Sequence, residues 1–141
     1  MKLRLLMFIA ILAIFPLAAC PPAAAPEEEQ KPVTLEPIAG TDLNRITLTE
    51  KAAERLGLET APVAAQEGQV VVPYAALLYD PSGQAWVYVT VGPLAYERQK
   101  VTVNTIDGDQ VVLSQGPEAG AQVVTLGATE LFGSESEFEE E

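Results

Sequence analysis

Turn chemistry interrupts the chain so often between residues 41 and 133 that the segments left over are strand-sized. Gln66, Glu67 and Gly68 form one break and Pro73 another, followed by Asp80, Pro81, Ser82 and Gly83, by Gly92 and Pro93, by Asp107, Gly108 and Asp109, and by a loop over 115–120. Proline pre-sets φ and glycine accepts a positive one, so these positions end pleated segments. The run 85–91 alternates most plainly. Ala85, Val87, Val89 and Val91 share one face and Trp86, Tyr88 and Thr90 the other, which predicts a strand covered on both sides. Further strands are expected over 45–48, 58–65, 69–72, 94–104, 110–114 and 121–126, with Pro62 at an edge or strand end because it cannot donate to a ladder. Leu77 and Leu78 are expected inside. A short helix is expected over 50–56, capped by Thr49 and ended by Gly57 in the left-handed conformation, with a closing helical turn over 128–132. About six or seven strands and one short helix predict a mainly β domain, a small antiparallel barrel or sandwich.

The start of the chain reads differently. Lys2 and Arg4 precede an apolar stretch over 5–17, then Ala18, Ala19 and the single cysteine, Cys20. Residues 5–19 fall short of the roughly 20 apolar residues that cross about 30 Å of hydrocarbon, and Pro16 interrupts them. The pattern predicts a cleaved export signal over 1–19. From 20 to 40, Pro21, Pro22, Pro26, Pro32 and Pro37 are interspersed with alanines and the run Glu27, Glu28 and Glu29, which predicts an extended, solvated tether. At the other end Glu135, Glu137, Glu139, Glu140 and Glu141 repel one another, which predicts a disordered acidic tail over 134–141. A single β domain is expected between them, over 41–133.

Charge and composition exclude several functions. The formal net charge of −12 argues against nucleic acid as a partner, because phosphates repel such a surface and no basic stripe offsets it. The chain has no histidine, and its only two methionines, Met1 and Met7, lie in the leader, so imidazole chemistry and a thioether metal site are absent from the processed chain. Ser82, Ser114, Ser134 and Ser136 have no base beside them and sit in turn or tail contexts. Asp107 and Asp109 lack the further loop ligands that calcium needs. No cofactor, no metal and no catalysis are expected.

Two sets of residues carry resemblances. Leu17, Ala18, Ala19 and Cys20 resemble the lipobox of bacterial lipoproteins, which implies cleavage before Cys20 and lipidation of it. Such a protein is anchored to a membrane and faces the periplasm or the cell exterior. The second set begins with Val72, Pro73, Ala76 and Leu77, continues through Val87, Tyr88 and Val89 and then Val101 and Val103, and closes with Gly116, Gly120, Val123, Val124 and Gly127. In that order and spacing they resemble the C-terminal, membrane-proximal domain of periplasmic adaptor subunits, the HlyD-like membrane fusion proteins of RND-type efflux systems. Pro117, Ala121 and Asn104 depart from the family, which usually has Leu, Asp and Gly there.

A full adaptor also carries a lipoyl-like domain and a long coiled-coil hairpin, for which 64–69 leaves no room, and no sustained heptad pattern is present. The resemblance therefore implies an accessory or adaptor-like module of a transport complex, with an RND-type transporter or a full-length adaptor as partner. The alternative is an envelope lipoprotein that serves as a protein or cell-wall interaction module, presenting Tyr74, Tyr79, Trp86, Tyr88 and Tyr96. Aromatic residues in strands more often pair across strands or fill a core.

Overall fold

The computed structural model describes residues 31–137. The expected signal peptide, Cys20, the first part of the tether and residues 138–141 of the tail lie outside the described residues. The strands are β1 (Val33–Pro37), β2 (Asn44–Leu48), β3 (Glu59–Pro62), β4 (Ala64–Gln66), β5 (Gln69–Pro73), β6 (Leu78–Tyr79), β7 (Ala85–Gly92), β8 (Ala95–Lys100), β9 (Thr102–Asp107), β10 (Gln110–Gln115) and β11 (Gln122–Leu126). Two α-helices, α1 (Glu50–Leu56) and α2 (Ala128–Glu137), and a 3-10 turn at Tyr74–Ala76 complete the described residues.

All strand pairings are antiparallel. One sheet runs β1-β2-β8-β7-β11-β3, with β6 paired to β7, and the other runs β4-β5-β10-β9. Neither sheet closes on itself, so of the two expected architectures the sandwich is the one adopted and the barrel is not.

The count of about six or seven strands is corrected to 11 among the described residues, because β1 and β6 are additional and because the chain twice changes sheet inside a segment whose alternation runs on unbroken. The expected strand over 58–65 divides at Val63, which is buried. Its N–H donates to the Ala121 carbonyl and its own carbonyl accepts from Gly120. The expected strand over 94–104 divides at Val101, also buried, whose N–H donates to Ala85. Period-2 patterning reports which face is buried, not which sheet supplies the partner strand.

Two apolar clusters hold the layers together. Between the sheets lie Val63, Val72, Ala76, Ala85, Val87, Val101, Val111, Leu113 and Val123. On the far side of the larger sheet Ile46, Leu48, Tyr88, Tyr96 and Val124 pack with Ala52 of α1 and with Ala128 and Leu131 of α2. The larger sheet is therefore covered on both faces, as the alternation in β7 requires. Val87 enters one cluster and Tyr88 the other, and both are fully buried. Leu77 and Leu78 are half-buried.

Helix α1 follows its capping residues. The Thr49 side chain accepts a hydrogen bond from the Ala52 N–H, and Gly57, at φ 59°, donates to the carbonyls of Ala53 and Glu54. Pro62 lies on β3, an edge strand of the larger sheet, where its missing N–H interrupts no ladder.

The expected boundaries at both ends need correction. Residues 33–37, expected in the tether, form β1 along β2, with Val33 opposite Leu48 and Pro37 opposite Asn44. Val33 and Leu35 pack against the outer cluster while Thr34 and Glu36 face solvent. Prolines at 32 and 37 flank this alternation without breaking it. The closing turn over 128–132 is instead a ten-residue helix, so the described residues hold two α-helices rather than one, and residues 134–137 of the expected acidic tail belong to α2. The reason is packing: Leu131 and Glu135, one turn apart on one helix face, are 0% and 1% exposed.

Candidate functional site

Most of the motif residues are core. Val72, Ala76, Val87, Tyr88, Val101, Val123 and Val124 are buried, Pro73, Leu77, Val89 and Val103 are half-buried, and Gly127 is buried at φ +87°. Gly120 sits in an exposed turn at φ +91°, and Gly116 is half-buried beside Leu113 and Val101. These positions specify the fold, and only Tyr88 also belongs to a polar cluster. Asp107 and Asp109 flank Gly108 in the β9–β10 hairpin, where the Asp109 carbonyl accepts from the Tyr74 N–H. Among the described residues no group of three or more His, Cys, Asp or Glu side chains is placed to hold a metal ion.

The polar cluster is built where α2 crosses the larger sheet. In the register of β7 and β8, Tyr88 lies opposite Arg98 and Thr90 opposite Tyr96, so Arg98 projects from the face that α2 covers. The Glu135 carboxylate on α2 meets that face. Its Oε2 accepts a 2.7 Å hydrogen bond from the Tyr88 hydroxyl and lies 3.3 Å from Arg98 Nε, while Oε1 is 3.3 Å from the backbone N–H of Asn44 at the start of β2. One carboxylate thus ties α2 to β2, β7 and β8. Burying a charge is costly unless it is paired and hydrogen-bonded, and Glu135 is both.

Arg98 is held mainly by its planar faces. Its Cζ stands 4.6 Å from the centre of the Trp86 ring and 5.0 Å from that of Phe132. Such stacking suits a delocalised cation. Its Nε contact with Glu135 lacks hydrogen-bond alignment, and Nε is buried without a hydrogen-bond partner. Arg98, Phe132, Glu135 and Ser136 line a depression of about 280 Å³ together with Asp80, Pro81 and Ser82 of the loop before β7.

Asp80 organises that loop. Its Oδ1 accepts from the Ser82 N–H at 2.9 Å, the Ser82 hydroxyl at 2.6 Å and the Gln84 N–H at 2.9 Å, and its Oδ2 accepts from Trp86 Nε1 at 2.9 Å. The Ser82 hydroxyl, then Trp86, hold the Asp80 carboxyl down at about 2, well below its ordinary value. Because the folded protein favours the ionised form, this stabilisation is fully present above the ordinary value of 3.8 and is lost as pH falls toward about 2. Asp80→Asn is expected to lower stability by a constant amount above pH 4, and the gap to the unsubstituted protein is expected to shrink between pH 4 and 2. Urea unfolding across that range, followed by Trp86 fluorescence, measures it; a gap that stays constant down to pH 2 contradicts it.

A second charge pair, Arg45 with Glu97 at 2.7 Å, joins β2 to β8 and is open to solvent. Such surface pairs contribute about 0–1 kcal/mol.

Sequence reasoning does not single out Arg98, and it finds Asp80 only as a turn residue and Glu135 only as part of an acidic tail, none of them as a member of a site. A faint signal exists for two of them. Arg98 follows Tyr96 at the spacing of one strand face, and Glu135 follows Leu131 at the spacing of one helix face.

Residues 69–130 match a family model described as the C-terminal permuted SH3 domain of RND membrane fusion proteins. No curated protein and no solved structure gave a match. The matched segment runs from the start of β5 into the first turn of α2 and contains Asp80, Trp86, Tyr88 and Arg98, whereas β1 to β4, α1 and Glu135 lie outside it.

Proposed function

We propose, from the premise that residues 69–130 are a C-terminal permuted SH3 domain of the RND membrane-fusion-protein family, that this chain is an adaptor-like accessory module of an efflux complex in the cell envelope. The family match carries this reading. The module is non-catalytic and acts by contact.

Lipidation at Cys20 supplies the anchor in this reading. An acyl chain stabilises membrane association by about 0.8 kcal/mol per buried methylene, and more than one chain is needed for stable attachment. Confinement at the membrane raises the effective concentration of the domain near its partner without adding contacts. The partner is an RND-type transporter or a full-length adaptor. The connection between β4 and β5 supports an accessory role: it is the two-residue turn Glu67 and Gly68, so the chain passes from its opening strands to the family domain with neither a lipoyl-like domain nor a coiled-coil hairpin inserted there. A domain so connected does not itself bridge to an outer-membrane channel.

Two measurements test this. Cys20→Ser is expected to move the protein from the membrane fraction to the soluble fraction and to abolish incorporation of labelled fatty acid; a variant that stays membrane-bound contradicts the anchor. Affinity capture of the unsubstituted protein from gently solubilised envelopes is expected to recover a transporter or adaptor subunit. Recovery of neither, under conditions that keep known pump complexes intact, overturns the assignment to efflux.

A further inference from the structure

Glu135 occupies a cradle that it does not fill well. Three groups converge on its carboxylate: the Tyr88 hydroxyl, 2.7 Å from Oε2, the Asn44 N–H, 3.3 Å from Oε1, and the Arg98 guanidinium, whose Nε stands 3.3 Å from Oε2. Only the first contact is short. Arg98 Nε is buried and makes no hydrogen bond, because its N–H is not aligned with the oxygen it faces. A guanidinium holds a carboxylate best through aligned N–H bonds, and a buried donor without an acceptor is uncommon in folded proteins. The cradle therefore suits a carboxylate and holds this one away from the position that would align it.

The element that delivers Glu135 is weakly held. Of Gly133, Ser134, Glu135 and Ser136, Glu135 alone is buried, so one side chain docks this half of α2. Gly133 lowers its helix propensity, and Ser134 and Ser136 donate back to the carbonyls of Glu130 and Phe132. Glu135 and Glu137 put negative charge at the helix end where the macrodipole favours positive charge. The depression of about 280 Å³ adjoins the same half, shared by Phe132, Glu135 and Ser136 with Arg98 and the Asp80 loop.

We propose that the cradle of Tyr88, Arg98 and the Asn44 N–H is a binding site for an aspartate or glutamate side chain of a partner protein, held shut in the free chain by Glu135. Release of 133–137, hinged at Gly133, opens it into the depression. The exchange leaves the local charge unchanged, because one carboxylate replaces another, so Asp80, whose oxygens are bound by Ser82, Gln84 and Trp86, opposes both alike. A tethered group has a high effective concentration, so a small free anion does not displace it. A protein does, by aligning its carboxylate with Arg98 Nε and filling the depression with the residues that flank it. This inference does not rest on the efflux assignment, since it uses only the cradle and the helix that covers it.

Two measurements on the full chain test it. Native-state amide exchange is expected to show the amides of 134–137 opening at least about 100-fold more often than those of Tyr88 and Val124, with no dependence on low concentrations of urea. Amides of 134–137 that exchange only together with those of Tyr88 overturn the proposal. The second measurement uses the acetylated, amidated tripeptide Ser-Glu-Ser, the sequence around Glu135, with Ser-Gln-Ser as control, read by the NMR signals of Arg98 Nε–H and the Trp86 indole. Glu135→Ala vacates the cradle, and Ser134→Pro unwinds the covering half of α2 while leaving Glu135 in place. Both variants are expected to bind Ser-Glu-Ser at least about tenfold more tightly than the unsubstituted chain does, and neither to respond to Ser-Gln-Ser. Equal affinity in all three proteins would show that Glu135 does not close the site. A response in Glu135→Ala alone would mark a cavity made by the substitution and not a releasable helix. No response in any protein, or an equal response to Ser-Gln-Ser, would show that the cradle takes no carboxylate from outside. Each of these results overturns the proposal.

Discussion

Gly127→Ala is expected to destabilise the domain by about 3 kcal/mol, the sum of a left-handed backbone cost of roughly 1–2 and an overpacking cost of roughly 1–3. Gly127 ends β11 and leads into α2 at φ +87°, where L side chains are strained. A Cβ there would overlap Cδ2 of Leu58 and lie 3.5 Å from the Leu56 carbonyl. Leu56 and Leu58 pack against the outer cluster, so relief for Leu58 would come at the expense of that packing. Gly120→Ala separates the two contributions: it has a similar φ of +91° but nothing within 4 Å of the added atom, so it is expected to cost only about 1 kcal/mol. Thermal unfolding is expected to show the melting temperature lowered by more than about 10 °C at position 127 and by about 4 °C at position 120. Equal losses would show that Leu58 moves aside without cost.

Arg98→Met is expected to destabilise by about 2–4 kcal/mol, toward the lower side of what breaking a buried ion pair costs, because the last turn of α2 can unwind and return Glu135 to water. Glu135→Leu leaves a cation stacked between two rings, with part of its edge facing solvent, and is expected to cost less. The double variant replaces both charges with apolar groups of similar volume and is expected to recover most of the loss, giving a coupling of about 2 kcal/mol by urea unfolding. Additive losses would show that Arg98 and Glu135 act on stability separately.

Helix α2 depends on this docking. Gly133 lies within it, Ser134 and Ser136 donate back to the Glu130 and Phe132 carbonyls, and no basic residue stands in its last turn. Each of these features weakens a helix. Its contacts through Ala128, Leu131 and Glu135 supply what its sequence lacks.

The sequence was most legible where one face of a strand or helix is buried and the signal repeats. The alternation over 85–91, the Thr49 and Gly57 caps and the turn at Asp80 were all readable, and each is formed as expected. The sheet changes at Val63 and Val101 were not readable, because a chain that crosses from one sheet to the other keeps its inside and its outside. Strand β1 was hidden by its prolines: the two alternating residues Val33 and Leu35 are a weak signal in a segment whose composition otherwise reads as a tether. The polar cluster was hidden for a different reason. Arg98 and Glu135 come from opposite sides of the cluster in sequence, and a charge that looks solvated in its local context becomes buried only when a distant element supplies its partner. Glu135 in particular sat in a run of glutamates whose mutual repulsion suggested a solvated tail.

The segment over 69–130 that matches the family model is one part of a larger cooperative body, completed by β1 to β4 before it and α2 after it. Strand β3 pairs with β11, β4 with β5 and β2 with β8, and Glu135 closes the outer layer. Equilibrium urea unfolding of a 31–137 fragment beside a 69–130 fragment, followed by Trp86 fluorescence and far-ultraviolet circular dichroism, tests this most directly. The longer fragment is expected to unfold in one transition that both signals trace identically, and the shorter to show no folded baseline at any urea concentration. A cooperative transition in the 69–130 fragment alone, with a midpoint close to that of the longer one, would contradict the claim.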